Sequence, residues 1–239
     1  MKQIRYKGHF QSDPYIVSEL QNLSTLRHEN IIKMHDILIS PNSVSIIMEL
    51  AELGNLENFI KEIKHLSDCQ IYQFYSHILR GVKFCHDNGI AHRDLTPSNI
   101  LLSASMDMRI ADFGLSMRCR GPSGEVILCN DYLGNSLYLA KEVLQETPHD
   151  PIPADVWTLG VLLFFMLFSD LPFHGSEERI IGQHHQFHSI LKSKESTIGD
   201  KSTKLTSILL QIMEIVPDNR LNVSDILESL SENIQHAKL

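Results

Sequence analysis

Apolar residues at Ile16, Leu20, Leu23 and Leu26 recur every three or four positions, which predicts a helix over 16–26 with one buried face. The period then changes. Ile37 to Ile39 and Val44 to Met48 are rich in β-branched residues and are parted by Ser40-Pro41-Asn42-Ser43, so they read as a hairpin. From Leu56 onward helical spacing dominates. Ser67 and Asp68 stand where a cap belongs, ahead of a helix carrying Ile71, Phe74, Tyr75, Ile78, Leu79 and Val82. Ile100 to Leu102 and Met108 to Ile110 read as short strands about a turn, and Pro148 to Pro153 as a loop. Val156 to Phe168 is apolar on nearly every side, while Leu205 to Val216 and Val223 to Ile234 are amphipathic. A small mixed lobe followed by a larger helical lobe is the expected picture.

The chain has 239 residues, enough to bury a core without covalent staples. Its net charge of −8 argues against a general nucleic-acid binder, which needs a basic footprint. Cys69, Cys85, Cys119 and Cys129 form no C-x-x-C pair and read as reduced thiols, as in a cytoplasmic or nuclear protein. Met1 to Phe10 lacks the apolar core of a secretory signal. As a helix, Val156 to Phe168 rises about 20 Å, short of a hydrocarbon layer of roughly 30 Å. It is expected to be a buried core helix, with no membrane partner.

The chemistry sits in two short stretches. Residues 92–99 read His-Arg-Asp-Leu-Thr-Pro-Ser-Asn, and residues 112–114 read Asp-Phe-Gly, with 18 positions between Asp94 and Asp112. Together they resemble the catalytic loop and magnesium-binding segment of the eukaryotic protein kinases. The Leu95-Thr96 step resembles some polo-like and NIMA-related members. The resemblance implies Asp94 as the base that takes the acceptor hydroxyl's proton, and Asn99 and Asp112 as oxygen ligands of Mg²⁺. A transferring phosphoryl group needs its oxygens neutralised and the acceptor held in line, which suits that set. His92 is expected to pack under Phe113 and orient the loop.

The likeness extends outward. Glu19 precedes His28-Glu29-Asn30-Ile31 as the glutamate of the family's αC helix precedes a similar stretch, and Lys2 lies 17 residues before it. Lys2 therefore resembles the strand lysine that holds the α- and β-phosphates of ATP. Lys7, the rival, leaves too little chain for a strand end, a loop and two helical turns. Met48 to Asn55 resembles the hinge between lobes, with Met48 as gatekeeper. The backbone of Glu49 and Ala51 would meet adenine, Asn55 would lie near the ribose, and Leu101 would form the floor. Leu23, Met34, His92 and Phe113 resemble the column that links the lobes, anchored by Asp155. Glu142 and Arg220 resemble the family's buried ion pair.

Several positions depart from the family. No glycine-rich phosphate loop stands before Lys2, which suggests a fragment or mis-started version of a longer kinase rather than a degenerate one. Such a chain is expected to bind ATP weakly. Thr96 replaces a lysine that faces the γ-phosphate, Asn135 replaces a threonine of the same network, and Lys141 replaces the proline of Ala-Pro-Glu. Arg93 implies control through the segment after Asp-Phe-Gly, where Ser116, Ser123 and Tyr132 can be phosphorylated and Glu125 could stand in for a phosphate. His184 and His188 have the i, i+4 spacing of metal ligands. They lack the zincin glutamate and a third ligand, and read as solvated surface.

The expected fold is α+β and bilobal, with a truncated small lobe over 1–53 and a complete, mainly helical large lobe over 54–239. The resemblance implies an ATP- and Mg²⁺-dependent kinase acting on protein serine and threonine hydroxyls. The alternative is a pseudokinase or kinase fragment that binds proteins as a scaffold.

Overall fold

A computed structural model describes residues 1–195 and 203–237. Its first part is a three-stranded antiparallel sheet of β1 (Lys2–Arg5), β2 (Met34–Ser40) and β3 (Ser43–Met48), in the order β1-β3-β2. Pro41 and Asn42 make the turn of the β2–β3 hairpin, with Ser40 opposite Ser43, as their composition predicts. The central strand sets Lys2 opposite Ile46.

Helix α1 (Pro14–Thr25) begins two residues earlier than the apolar stripe. Asp13 caps it, accepting hydrogen bonds from the backbone N–H groups of Tyr15 at 3.0 Å and Ile16 at 3.3 Å, and Pro14 occupies a first-turn position that needs no donor. It packs against the 3-10 turn Phe113–Leu115, which carries the sheet lobe onto the rest of the molecule.

The second part is mainly helical. Helix α2 (Leu56–Ile63) is capped by Asn55, and α3 (Asp68–Asp87) opens with a capping box in which Ser67 and Gln70 satisfy each other's backbone N–H. Short strands follow: β4 (Ile90–Ala91) pairs with β7 (Met117–Arg118), and β5 (Ile100–Leu102) with β6 (Met108–Ile110). Helices α4 (Lys141–Leu144), α5 (Pro151–Phe168), α6 (Glu177–His184), α7 (Phe187–Glu195), α8 (Thr203–Ile212) and α9 (Val223–Ala237) complete it.

Three expectations are corrected here. Pro148 to Pro153 is not all loop: α5 starts at Pro151, because Asp150 caps it and prolines are tolerated in a first turn whose N–H groups lack partners anyway. Helix α8 stops at Ile212, leaving Val216 half-exposed beyond it. His184 and His188 do not share a face, since one ends α6 and the other lies in α7. His184 is buried against Trp157 and Phe173, both at 4.5 Å between ring centroids, so it is neither a metal ligand nor solvated surface.

Helix α5 meets the length and composition of a membrane span, yet most of its surface is covered by the rest of the protein. The Tyr75 hydroxyl donates to the Leu159 carbonyl at 3.1 Å and ties α3 to it. Gly160 leaves room for the end of α8: a Cβ there would stand 2.8 Å from Ile212 Cγ2 and 2.4 Å from the sulfur of Met213 just beyond it, so those side chains would have to shift.

Candidate active site at the lobe junction

Lys2 lies on β1, Glu19 in the middle of α1, and Asp112 at the head of the 3-10 turn that α1 packs against. The fold thus draws three distant positions together. The Lys2 ammonium stands 2.7 Å and 2.8 Å from the two oxygens of Glu19 and 2.8 Å from Oδ1 of Asp112. Lys7 sits exposed beyond the strand and takes no part in this cluster, so Lys2 is the lysine that the pair selects.

Burial pulls the Lys2 pKa down, but its hydrogen bonds to Asp112 and Glu19 outweigh that and hold it above the ordinary lysine value. Burial pushes Glu19 up against the pull of Lys2. Burial also works to raise Asp112, yet the Lys2 bond and charge win and hold it below the usual aspartate value. Asp112 has a left-handed backbone, φ 63°, and its own Oδ1 also caps the turn at the Gly114 N–H. Aspartate is among the side chains that tolerate that conformation.

The catalytic loop is held from beneath. Asp155, buried in the first turns of α5, accepts hydrogen bonds from the backbone N–H groups of His92 and Arg93, both at 2.8 Å, and stands 3.0 Å from His86 Nε2. These partners keep Asp155 ionised against a burial that would raise its pKa. His86 is a support that the sequence motifs did not reveal. A histidine six residues before His92 carries no signal until α3 brings it under the loop.

His92 packs edge-on against Phe113, with 4.7 Å between ring centroids. Its Nδ1 accepts the Asp94 N–H at 3.2 Å, so its Nε2–H donates to the Ala111 carbonyl at 3.1 Å. Both nitrogens are satisfied in the neutral ring, and burial lowers its pKa accordingly. The expected orienting role is the arrangement seen. Leu23, Met34 and Phe113 are buried with it.

Asp94 and Asn99 face each other. The Asn99 amide donates to the Asp94 carbonyl at 2.9 Å and to its Oδ2 at 2.7 Å. Burial raises the Asp94 pKa, with His92 and Asn99 pulling the other way. Both line a cleft of about 470 Å³ with Glu57, Thr96, Asn135 and Tyr138. Thr96 and Asn135 therefore do fall in one neighbourhood. The Thr96 hydroxyl is bonded to Ser98 at 2.8 Å, and the Asn135 Oδ1 closes its own turn at the Leu137 N–H. The amine of Lys141 lies 3.2 Å from His185 Nε2.

Residues 49–55 run alongside β5. Leu53 N–H donates to the Leu102 carbonyl at 3.1 Å and Leu102 N–H to the Gly54 carbonyl at 2.8 Å, which sets Leu101 beside Asn55. The Glu49 carboxylate turns back to the Lys33 N–H at 2.8 Å and to Arg109, and its own N–H donates to the Lys33 carbonyl at 2.9 Å, which leaves its carbonyl. The Ala51 carbonyl accepts the Gly54 N–H at 3.2 Å. The Asn55 Oδ1 caps α2 at the Asn58 N–H.

Among the described residues, no three His, Cys, Asp or Glu side chains converge as a ready metal cage. That donor chemistry fits Mg²⁺, which takes one or two carboxylates and completes its shell with phosphate oxygens and water. Asp112 and Asn99 supply hard oxygens of that kind.

The chain thus combines a small sheet part and a helical part with a lysine–carboxylate cluster and an acid–amide pair. The chain belongs to the protein kinase domain family, which it matches over residues 1–230. It is 32% identical over 217 residues to testis-specific serine/threonine-protein kinase 2 of Mus musculus, covering 89% of this chain and 59% of that protein. It is 30% identical over 212 residues to NUAK family SNF1-like kinase 1 of Homo sapiens, covering 89% and 31%. It is 28% identical over 211 residues to CBL-interacting protein kinase 15 of Oryza sativa subsp. japonica, covering 88% and 47%. The chain spans about three-fifths or less of the length of these curated relatives. None of the three carries a polo-like or NIMA name, so that narrower likeness rests on the Leu95-Thr96 step alone.

Proposed function

We propose that the chain transfers the γ-phosphoryl group of ATP to serine and threonine hydroxyls of protein substrates. The observation that carries this is the pair of clusters at the lobe junction: Lys2 with Glu19 and Asp112, and Asp94 with Asn99. Lys2, fixed by Glu19, would hold the α- and β-phosphates, and the backbone of Glu49 and Ala51, with Leu101 and Asn55, would bound the adenosine. Asp112 and Asn99 would hold Mg²⁺, which when bound neutralises phosphate oxygens. Asp94 would accept the substrate hydroxyl's hydrogen bond and its proton, and its raised pKa makes it a better base than an ordinary aspartate.

Residues 1–53 and 54–239 would be the small and large lobes. Named relatives are serine/threonine-protein kinases, which supports a protein acceptor. A reduced-thiol, acidic chain fits a cytoplasmic or nuclear enzyme that acts on protein, with no nucleic acid or membrane in its reaction. The scaffold reading draws on Thr96, Asn135, Lys141 and the lack of a glycine-rich loop before Lys2, but the retained Lys2, Glu19, Asp94, Asn99 and Asp112 favour the enzyme. Transfer from ATP to a general protein substrate tests it. Asp94→Asn should lower the rate about 10²- to 10⁴-fold, the span of a lost general base. Equal background turnover in both proteins would leave only the scaffold.

A further inference from the structure

Arg93 sits in a left-handed conformation, φ 65°, between the two acids of the loop's support and its chemistry. Its backbone N–H is taken by Asp155, and its Nε donates to the Leu115 carbonyl at 2.6 Å, just beyond Asp-Phe-Gly. What remains of the guanidinium points to the far end of the same segment. There its Nη1 lies 3.1 Å from Oδ2 of Asp131. One arginine thus joins the catalytic loop to both ends of the stretch between Leu115 and Gly134. The arginine side chain is 13% exposed, so its charge is largely shielded from water and an unpaired guanidinium there would be unfavourable.

We propose that Asp131 is a positioning residue that supplies the anion Arg93 requires, so that this segment is set for catalysis without phosphorylation. This rests on the kinase reading above. Glu125, the acid that sequence alone suggests for the role, instead accepts the Ser123 N–H at 2.9 Å and closes its own exposed turn. The three phosphorylatable side chains are also engaged elsewhere or far from need. Ser116 is buried, donating to the Phe113 carbonyl and accepting from Asn22 at 2.7 Å. Ser123 lies in the Glu125 turn. The Tyr132 hydroxyl donates to the Glu177 carboxylate at 2.5 Å, where a phosphate would meet a like charge.

The rest of the segment is fastened by contacts that also need no phosphate. Arg120 makes a two-point ion pair with Asp150 at 2.7 Å and 3.0 Å. Cys129 and His149 exchange both backbone hydrogen bonds, at 3.0 Å and 2.9 Å. Asp131 is two residues past that bridge and three before Gly134, whose φ of 102° turns the chain toward the cleft beside Asp94. Losing the Asp131 charge should therefore loosen the cleft wall formed by Gly134 and Asn135.

The test uses the full chain, treated with a broad phosphatase, and reads phosphoryl transfer together with amide hydrogen exchange over 116–134. Wild type should keep its rate after phosphatase. Asp131→Asn should lose about fivefold or more in kcat, the size of a modest coupling between sites. Asp131→Glu should restore both rate and protection, at unchanged melting temperature, and Ser123→Ala should behave as wild type. A wild-type rate that collapses on phosphatase treatment, or an Asp131→Asn protein equal to wild type in rate and exchange, overturns the proposal. If wild type is no faster than Asp94→Asn, the kinase reading falls instead. The exchange arm then decides Asp131 alone, protection lost in Asp131→Asn and regained in Asp131→Glu supporting it and unchanged protection overturning it.

Discussion

Two carboxylate–cation clusters in this molecule look alike on paper and differ in one respect that sets their roles. In the large lobe, Arg220 meets Glu142 with two hydrogen bonds, at 2.6 Å and 3.0 Å. It spends its remaining N–H groups on the carbonyls of Pro153, Glu214 and Ile215, and its guanidinium lies 5.1 Å over the Trp157 ring. All five donors are used, and nothing is left over for a ligand. At the lobe junction, Lys2 meets Glu19 and Asp112 at similar distances, but Lys2 is 30% exposed and Asp112 is 44% exposed. That cluster is partly open to solvent, and leaves a carboxylate within reach of an arriving cation and an ammonium within reach of a phosphate. The closed cluster has no donor to spare, whereas the open one is accessible to solvent.

Breaking the closed cluster should have the largest effect. Arg220→Ala strands a buried carboxylate and three carbonyl oxygens, and should cost about 3–5 kcal/mol of stability. Replacing both partners with apolar residues, Glu142→Met with Arg220→Met, should cost much less, because no charge is left unpaired. Denaturant unfolding of the two proteins measures the difference. A double variant no more stable than Arg220→Ala would mean that the arginine matters for its carbonyl bonds rather than its ion pair.

Beside that pair lies a flaw. His184 is 1% exposed, and neither ring nitrogen has a partner, nor does the Trp157 Nε1 it packs against. Burial, with Arg220 adding to it, pushes the His184 pKa down to about 3. The ring is therefore neutral in the folded state while the unfolded chain takes a proton below pH 6.5. A lowered histidine pKa means that stability is lost as the pH falls from 6.5 toward 3. His184→Leu removes that proton, so by pH 4 it should be more stable than wild type by on the order of 3 kcal/mol beyond any difference at pH 8. Parallel pH profiles of melting for the two proteins would show the ring to be solvated after all.

Much of this contrast was legible in the chain, for a physical reason. Asp94, Asn99 and Asp112 lie in short stretches that resemble the catalytic loop and magnesium-binding segment of the kinases, and that resemblance pointed to them. Lys2 and Glu19 were readable as a pair because their separation resembles that between the family's strand lysine and αC glutamate. The hairpin turn at Pro41-Asn42 and the cap at Ser67 were readable because local backbone geometry decides them. What failed depended on packing between remote segments. The two histidines at 184 and 188 matched a helical period, but the chain turns between them, and the apolar slot of Trp157 and Phe173 took the first. Asp131 was passed over for Glu125 because either acid satisfies the composition. Only the path of the segment says which one reaches Arg93.

The open cluster should yield the smaller loss of stability and the larger loss of binding. Lys2→Met leaves Glu19, whose side chain is 2% exposed, without its counter-charge. Glu19 already has a raised pKa, so in the variant it would take up a proton rather than remain a buried anion. The cost should be about 1–2 kcal/mol near neutral pH and should shrink as the pH falls, because the folded carboxyl then holds a proton that the unfolded chain releases only above its ordinary pKa. Over the same range the variant should lose about 10² in kcat/KM for ATP, since a preorganised donor to the phosphates is gone. The paired readings separate the two clusters. If Lys2→Met proved as destabilising as Arg220→Ala while nucleotide affinity stayed put, the junction would be a second structural staple, and the cleft would need another residue to grip the triphosphate.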